Sequence, residues 1–124
     1  MVNKLVDYAT TKIISSFTPS IDNIFLKEGI FIEAGIIENM AQTVALHTGY
    51  TYFLKGEEPP TGYIGSIKRV TINKLVGIGE QITTEANILH EIMGVTLVEI
   101  KVKNAHSEEI AIGEMKTVIA SPNE

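Results

Sequence analysis

The longest apolar run in the chain is AGIIENMAQTVALHTGYTYFL, residues 34–54, and Glu38 is its only side chain with a fixed charge at neutral pH. Ile36, Ile37, Met40, Ala41, Val44 and Ala45 cover most of the circumference of a helix, so the segment reads as one helix that must be covered on most sides. Gly35 stands at its start and Gly49 near where the pattern should end. Upstream, residues 4–18 are rich in Val, Ile, Thr and Tyr with a polar break at 9–11, which predicts a β-hairpin. Pro19 and residues 20–23 mark a turn, and residues 24–33 form an irregular or short extended passage into the helix. Residues 55–61, with Gly56 and the Pro59-Pro60 pair, read as a loop.

After Gly62 the pattern changes to long strands, predicted over 63–74, 80–90 and 110–120, with a turn at Gly77 and Gly79. Between the last two, Thr96, Val98, Ile100 and Val102 alternate with Leu97, Glu99, Lys101 and Lys103, the period-two pattern of a half-buried strand. Met93-Gly94 and residues 104–108 are short enough for hairpin turns, which makes an antiparallel meander. The fold class that follows is α+β, a curved antiparallel sheet wrapped around one long helix, in a single domain over residues 1–124. The outer edge of such a sheet stays open to pairing with a second copy.

At 124 residues the chain is long enough to bury roughly two thirds of the surface its unfolded form exposes. The net charge of -5 gives no reason to attract phosphate backbones, and only Lys68-Arg69 with Lys74 nearby approaches a basic cluster. That cluster is a solvated strand face or a docking spot for an acidic partner. The absence of cysteine excludes disulfides, thiol nucleophiles and thiolate metal sites. No secretory leader pattern opens the chain, which reads as cytoplasmic. Glu38, Asn39, Gln42, His47 and two glycines make the apolar run a poor membrane span. Three dispersed histidines match no zinc motif and the glycine clusters match no phosphate loop, so neither metal nor cofactor is expected. The methionines and the Tyr50, Tyr52, Phe53 group read as core or tunnel lining.

Glu38 is the first candidate for chemistry. A carboxylate near the start of a buried helix is taken out of water, and such carboxylates serve proton transfer. Gln42, one turn on, shares its face and is placed to orient it.

The run Gly35-Ile36-Ile37-Glu38-Asn39-Met40-Ala41-Gln42 resembles the start of the central helix in hotdog-fold 3-hydroxyacyl-(acyl carrier protein) dehydratases. Gly62-Tyr63-Ile64-Gly65-Ser66-Ile67-Lys68-Arg69-Val70 is similar to that family's strand after the helix, Gly79-Glu80-Gln81-Ile82 to the turn into the next strand, and Gly113-Glu114-Met115 to the last strand. The likeness is closer still to the dehydratase-like hotdog proteins of aryl-polyene and flexirubin-type pathways. The resemblance implies a hotdog fold, acid/base elimination of water from an acyl thioester carried by an acyl carrier protein or coenzyme A, and a dimer with itself or a related subunit. It assigns Glu38, with Gln42, to catalysis at the 3-hydroxyl. Gly35, Ile36, Met40 and Gly65 go to substrate binding, with backbone N–H groups around Gly35 on the thioester carbonyl, and Lys68, Arg69 and Lys74 to carrier docking.

One departure is chemical. The family's histidine loop ahead of the helix is matched here by Lys27-Glu28-Gly29-Ile30-Phe31-Ile32-Glu33-Ala34, which is shorter and lacks histidine and proline. His47 lies nine residues along the helix from Glu38, roughly 13 Å by helical rise and too far to share a substrate. His47, His90 and His106 each read as solvated or locally bonded, and Glu28, Glu33 and Asn23 remain as polar neighbours. Two rivals follow: a hotdog thioesterase, in which a helix carboxylate activates water, and a non-catalytic acyl-binding partner of an active dehydratase.

Overall fold

In the computed structural model, which describes residues 1–59 and 63–119, the apolar run is the helix α1 (Glu33–Lys55). Ahead of it lie β1 (Lys4–Ala9), β2 (Lys12–Phe17) and the two-residue strands β3 (Leu26–Lys27) and β4 (Ile30–Phe31). Behind it follow β5 (Tyr63–Ile72), β6 (Val76–Gly77), β7 (Ile82–Ile92), β8 (Val95–Lys103) and β9 (Glu109–Ile119). Residues 60–62, part of the expected loop and strand motif, and residue 120, the expected end of the last strand, lie outside the described residues.

Six strands form an antiparallel sheet in the order β1-β2-β7-β8-β9-β5, and β3, β4 and β6 form a small second sheet. The predicted hairpin and meander are therefore present. The residue pair Met93 (φ 53) and Gly94 (φ 78) makes the tight turn between β7 and β8, with both residues in the left-handed conformation that matches strand twist. Helix α1 packs on β2, β7, β5 and β8. Between them lies a core that includes Ile13, Phe31, Ile36, Met40, Ile82 and Ile100, all fully buried. Period-two alternation holds in β8, where Val98, Ile100 and Val102 are buried and the residues between them are not.

Three expectations are corrected. Gly49 does not end the helix: α1 continues to Lys55 and stops at Gly56, whose left-handed φ of 69° lets its N–H reach Phe53 O while Glu57 N–H reaches Tyr52 O. A left-handed C-terminal residue is the position glycine fills without a Cβ penalty, and Gly49, facing open space, makes no such demand. The passage 24–33 is more ordered than expected, because Phe31 pairs with Leu26 on one side and Val76 on the other. The third correction concerns coverage. Only Gly35, Ile36, Asn39, Met40, Thr43, Val44 and His47 of α1 are buried, the stripe facing the sheet, whereas Ala34, Gln42 and Ala45 on the opposite side are exposed. Among the described residues no helix is long and apolar enough to cross a membrane.

Candidate functional site

Glu38 sits on the uncovered side of α1. At about 100° per residue, positions 34, 38, 42, 45 and 49 fall on one stripe, and the carboxylate there is half-buried rather than taken out of water. The expectation of a buried carboxylate fails for this reason: the segment is apolar on both sides, but the outward side is made of small residues that this chain leaves uncovered. Gln42 is brought to Glu38 as expected. Its Nε2 donates to Glu38 Oε1 at 2.9 Å, which fixes the carboxylate and leaves Oε2 available.

The helix start is set by Gly35. A Cβ at this position would lie 2.6 Å from the Phe31 ring and 2.8 Å from Phe25 Cβ, so only glycine lets the first turn seat against these two aromatics. Ile32 is the N-cap and offers no side-chain bond. The N–H of Gly35 donates to Ile32 O at 2.9 Å and that of Ile36 to the same oxygen at 3.3 Å, so both are already engaged. The N–H groups left without an acceptor among the described residues are those of Glu33 and Ala34, one turn from Glu38 and next to the positive end of the helix dipole.

The other named positions divide. Ile36 and Met40 are fully buried on the sheet-facing side of α1 and are not brought to Glu38. Gly65 lies on the edge strand β5 in register with Thr117, and a Cβ there would come 2.7 Å from Met115 Cε. Lys68 and Arg69 are exposed at a β5 irregularity where the register with β9 slips and Arg69 takes a φ of 53°. Lys74 is exposed but already paired with Glu108 at 3.1 Å. That pairing, then a bond from Asn104, holds the Glu108 carboxyl below its ordinary value. Glu28 and Glu33 are exposed, and Asn23 Oδ1 accepts from Phe25 N–H at 2.8 Å.

His47 is neither solvated nor locally bonded. It is 9% exposed, its Nε2 bonds Ala9 O at 3.0 Å across 38 residues of chain, and its ring stacks on Tyr8 with centroids 5.1 Å apart. His90 and His106 are exposed near hairpin ends. Nine residues at about 100° each amount to two and a half turns, so His47 and Glu38 point to opposite sides of the helix.

His47 belongs to a polar ladder that the sequence reading missed. Asn39, Thr43, His47 and Thr51 recur every fourth residue along the sheet-facing stripe. Asn39 Nδ2 donates to Met1 O at 2.9 Å and its Oδ1 accepts from Thr84. Thr43 donates to Asn39 O at 2.8 Å, which uses its only proton, so Ser15 must be the donor in their 2.7 Å contact. Thr51 likewise donates to His47 O, and Tyr8 to Thr51. The signal that could have found the ladder is its i, i+4 spacing of polar residues inside an otherwise apolar helix. Beside its lower rungs, between the last turns of α1 and strands β2, β7, β8 and β9, lies a pocket of about 290 Å³ whose lining does not include Glu38. Tyr52 is among its lining residues, whereas Phe53 is 71% exposed and belongs to neither core nor pocket. Among the described residues no group of three His, Asp or Glu side chains is placed to hold a metal ion.

The chain matches the family model described as ApeP-like, ApeP dehydratase, over residues 1–123. No curated protein sequence matches it. Among solved structures, the dehydratase heterocomplex ApeI:P from Xenorhabdus doucetiae aligns with a TM-score of 0.87 at 15% identity, over 99% of this chain and 84% of that one. The PaaI protein from the phenylacetic acid degradation operon of E. coli aligns at 0.76 and 9% identity, over 95% and 79%. A hypothetical thioesterase from Streptococcus pneumoniae, solved with coenzyme A, aligns at 0.69 and 10% identity, over 95% and 85%. Likeness at such identities shows the fold, the hotdog arrangement of one long helix against an antiparallel sheet.

Proposed function

Since the chain belongs to the ApeP-like dehydratase family, we propose that it acts on 3-hydroxyacyl thioesters, presented by an acyl carrier protein or coenzyme A, at a site centred on Glu38 and completed by a second subunit. The observation that carries the reading is the Glu38–Gln42 pair on the helix face turned away from its own sheet. A carboxylate fixed there by an amide donor has one oxygen left for substrate, and among the described residues no strand of its own sheet lies in front of it. A second hotdog subunit, the same chain or a related one, would supply a wall there. The name of the ApeI:P heterocomplex supports a partner of this kind, and the coenzyme A bound to the streptococcal neighbour supports a thioester ligand.

The reaction breaks the C2–H and C3–O bonds, forms the C2=C3 double bond and releases water with the thioester intact. Glu38 is the proton carrier for both ends: its carboxylate takes the C2 proton and returns it to the departing 3-hydroxyl, so that proton leaves with the water. Gln42 holds its carboxylate in place, so little reorganisation is needed as charge moves. The free N–H groups of Glu33 and Ala34, rather than that of Gly35, are the donors for the thioester carbonyl, whose oxygen gains negative charge as the C2 proton leaves. The stretch ahead of the helix carries no histidine, which keeps two other readings in the test: hydrolysis by a Glu38-activated water, and acyl binding without chemistry.

The test is a mass-spectrometric time course with a 3-hydroxyacyl carrier-protein substrate, with Glu38→Gln as the control. Loss of one water that depends on Glu38 is the expected result. Hydrolysis assigns the thioesterase reading, and no change in substrate mass removes the catalytic one. A strictly monomeric solution mass at micromolar concentration, alone and with the related subunit, contradicts a site that a partner completes.

A further inference from the structure

We propose that the pocket beneath the C-terminal half of α1 is a second ligand site, separate from Glu38, which takes a small neutral alcohol: an apolar body carrying one hydroxyl. The helix itself separates the two sites. Along the first half of α1 the space above the sheet is filled by Ile36 and Met40, both fully buried. Along the second half the sequence offers Thr48 and Thr51 opposite Thr96 and Thr117, side chains too short to meet, and a space of about 290 Å³ remains. That is roughly the volume of ten liquid water molecules and the lower end of the range for small-molecule sites.

The lining selects the chemistry. Ile13, Val44, Ala86 and Val98 form an apolar floor on which water finds no partner, so an apolar body is favoured there. His47 lines the same space. Because the Ala9 carbonyl can only accept, Nε2 carries a proton, and in the uncharged tautomer that this fixes Nδ1 has a lone pair with no partner among the described residues. Stacking on Tyr8 holds the ring in that orientation. A hydroxyl satisfies the lone pair by donating to it. A carboxylate would draw a proton onto Nδ1 and set an ion pair over the apolar floor, a desolvation cost that a neutral hydroxyl does not carry. An ammonium would donate but leave its charge over an apolar floor. The charged side chains of the lining, Lys55 and Glu91, are exposed and of opposite sign, so the pocket has no net preference for an ion.

The probes are 1-hexanol and its isomer methyl pentyl ether, which has the same heavy atoms and no hydroxyl proton, titrated into the isotope-labelled full chain and followed by amide NMR. The alcohol should shift the amides of Val44, Ala86 and Val98 and bind about five-fold tighter than the ether, the worth of one neutral hydrogen bond. His47→Phe, which keeps a ring against Tyr8, should erase that preference while the ether still binds. Ala86→Phe, or Thr48→Leu at the half-buried rim if the first variant does not fold, should weaken both probes. Shifts that avoid these amides, or binding that survives the filling variants, overturn the site. An ether that binds as well as the alcohol, or a preference that persists in His47→Phe, overturns the hydroxyl assignment.

Discussion

The rung between Ser15 and Thr43 offers a quantitative test of the polar ladder. Both side chains are fully buried, and the proton directions follow from valence: Thr43 spends its only hydroxyl proton on Asn39 O, so the Ser15 proton has Thr43 Oγ1 as its acceptor. Thr43→Val conserves shape but removes that acceptor. The Asn39 carbonyl keeps its ordinary helical partner, whereas the Ser15 hydroxyl is left in a dry core, at a cost of about 1–3 kcal/mol. Ser15→Ala alone orphans no donor and should cost about 1 kcal/mol. With both changes the contact becomes methyl against methyl, and the double variant should lie within about 1 kcal/mol of the parent. The coupling is therefore about 1–3 kcal/mol, above the error of additivity for independent sites, about 0.5 kcal/mol. In a chain of this size, 2 kcal/mol corresponds to a fall in Tm of about 6–10 °C, large enough to read directly in a melt. Urea unfolding of the four proteins at equal m-values closes the cycle. Additive losses, or a Thr43→Val variant as stable as the parent, would refute the donor assignment and the buried status of the rung.

Three further outcomes follow from the geometry. Gly35→Ala should lower the urea midpoint by about 1–3 kcal/mol of stability, because its Cβ would sit 2.6 Å from the Phe31 ring; helix propensity would return at most about 1 kcal/mol, and an unchanged midpoint would mean that Phe31 yields freely. Glu108→Gln should be slightly less stable than the parent at neutral pH. The folded carboxyl lies below its unfolded value, chiefly through Lys74, so its contribution is present above the unfolded value and vanishes as pH falls through the folded one; thermal melts that keep a constant gap down to acid pH would contradict this. For carrier docking, Lys68→Ala with Arg69→Ala should weaken carrier-protein affinity and flatten its salt dependence more than Lys74→Ala does, since Lys74 is already paired with Glu108; unchanged affinity in all three would remove the docking role.

The strands were legible because burial on one face writes itself as alternation. Val98, Ile100 and Val102 gave β8, and the Met93-Gly94 pair gave its turn, since both features are local. Strand β6 was not legible, because two residues carry no period and Val76 is a strand only through Phe31, 45 residues away. Gly49 misled for the opposite reason: glycine is a stop signal in isolation, but the helix runs on through it to Lys55 and is capped only at Gly56.

 The capping bonds at Gly56 depend on where the chain turns next, which no single glycine announces.

At the candidate site, the pairing of Glu38 with Gln42 was legible because i, i+4 neighbours on a helix must meet. The engagement of the Gly35 N–H was not, since it depends on how Phe25 and Phe31 pull the first turn against Ile32. The role of His47 was hidden for a similar reason: its partner, Ala9 O, comes from the tip of a hairpin 38 residues away. Mean apolarity also concealed that α1 has two different sides. The sheet-facing side joins large hydrophobes to a bonded polar ladder and is complete within one chain. The other side joins Ala34, Ala45 and Gly49 to Glu38 and Gln42, residues that bury little surface of their own and leave room for another backbone to come close. An outward helix face in a monomer would ordinarily carry several charges, yet this one carries a single carboxylate, already held by its neighbour. That asymmetry is what the proposed second subunit would answer, and it makes the solution mass as informative about the proposed role of Glu38 as the activity assay is.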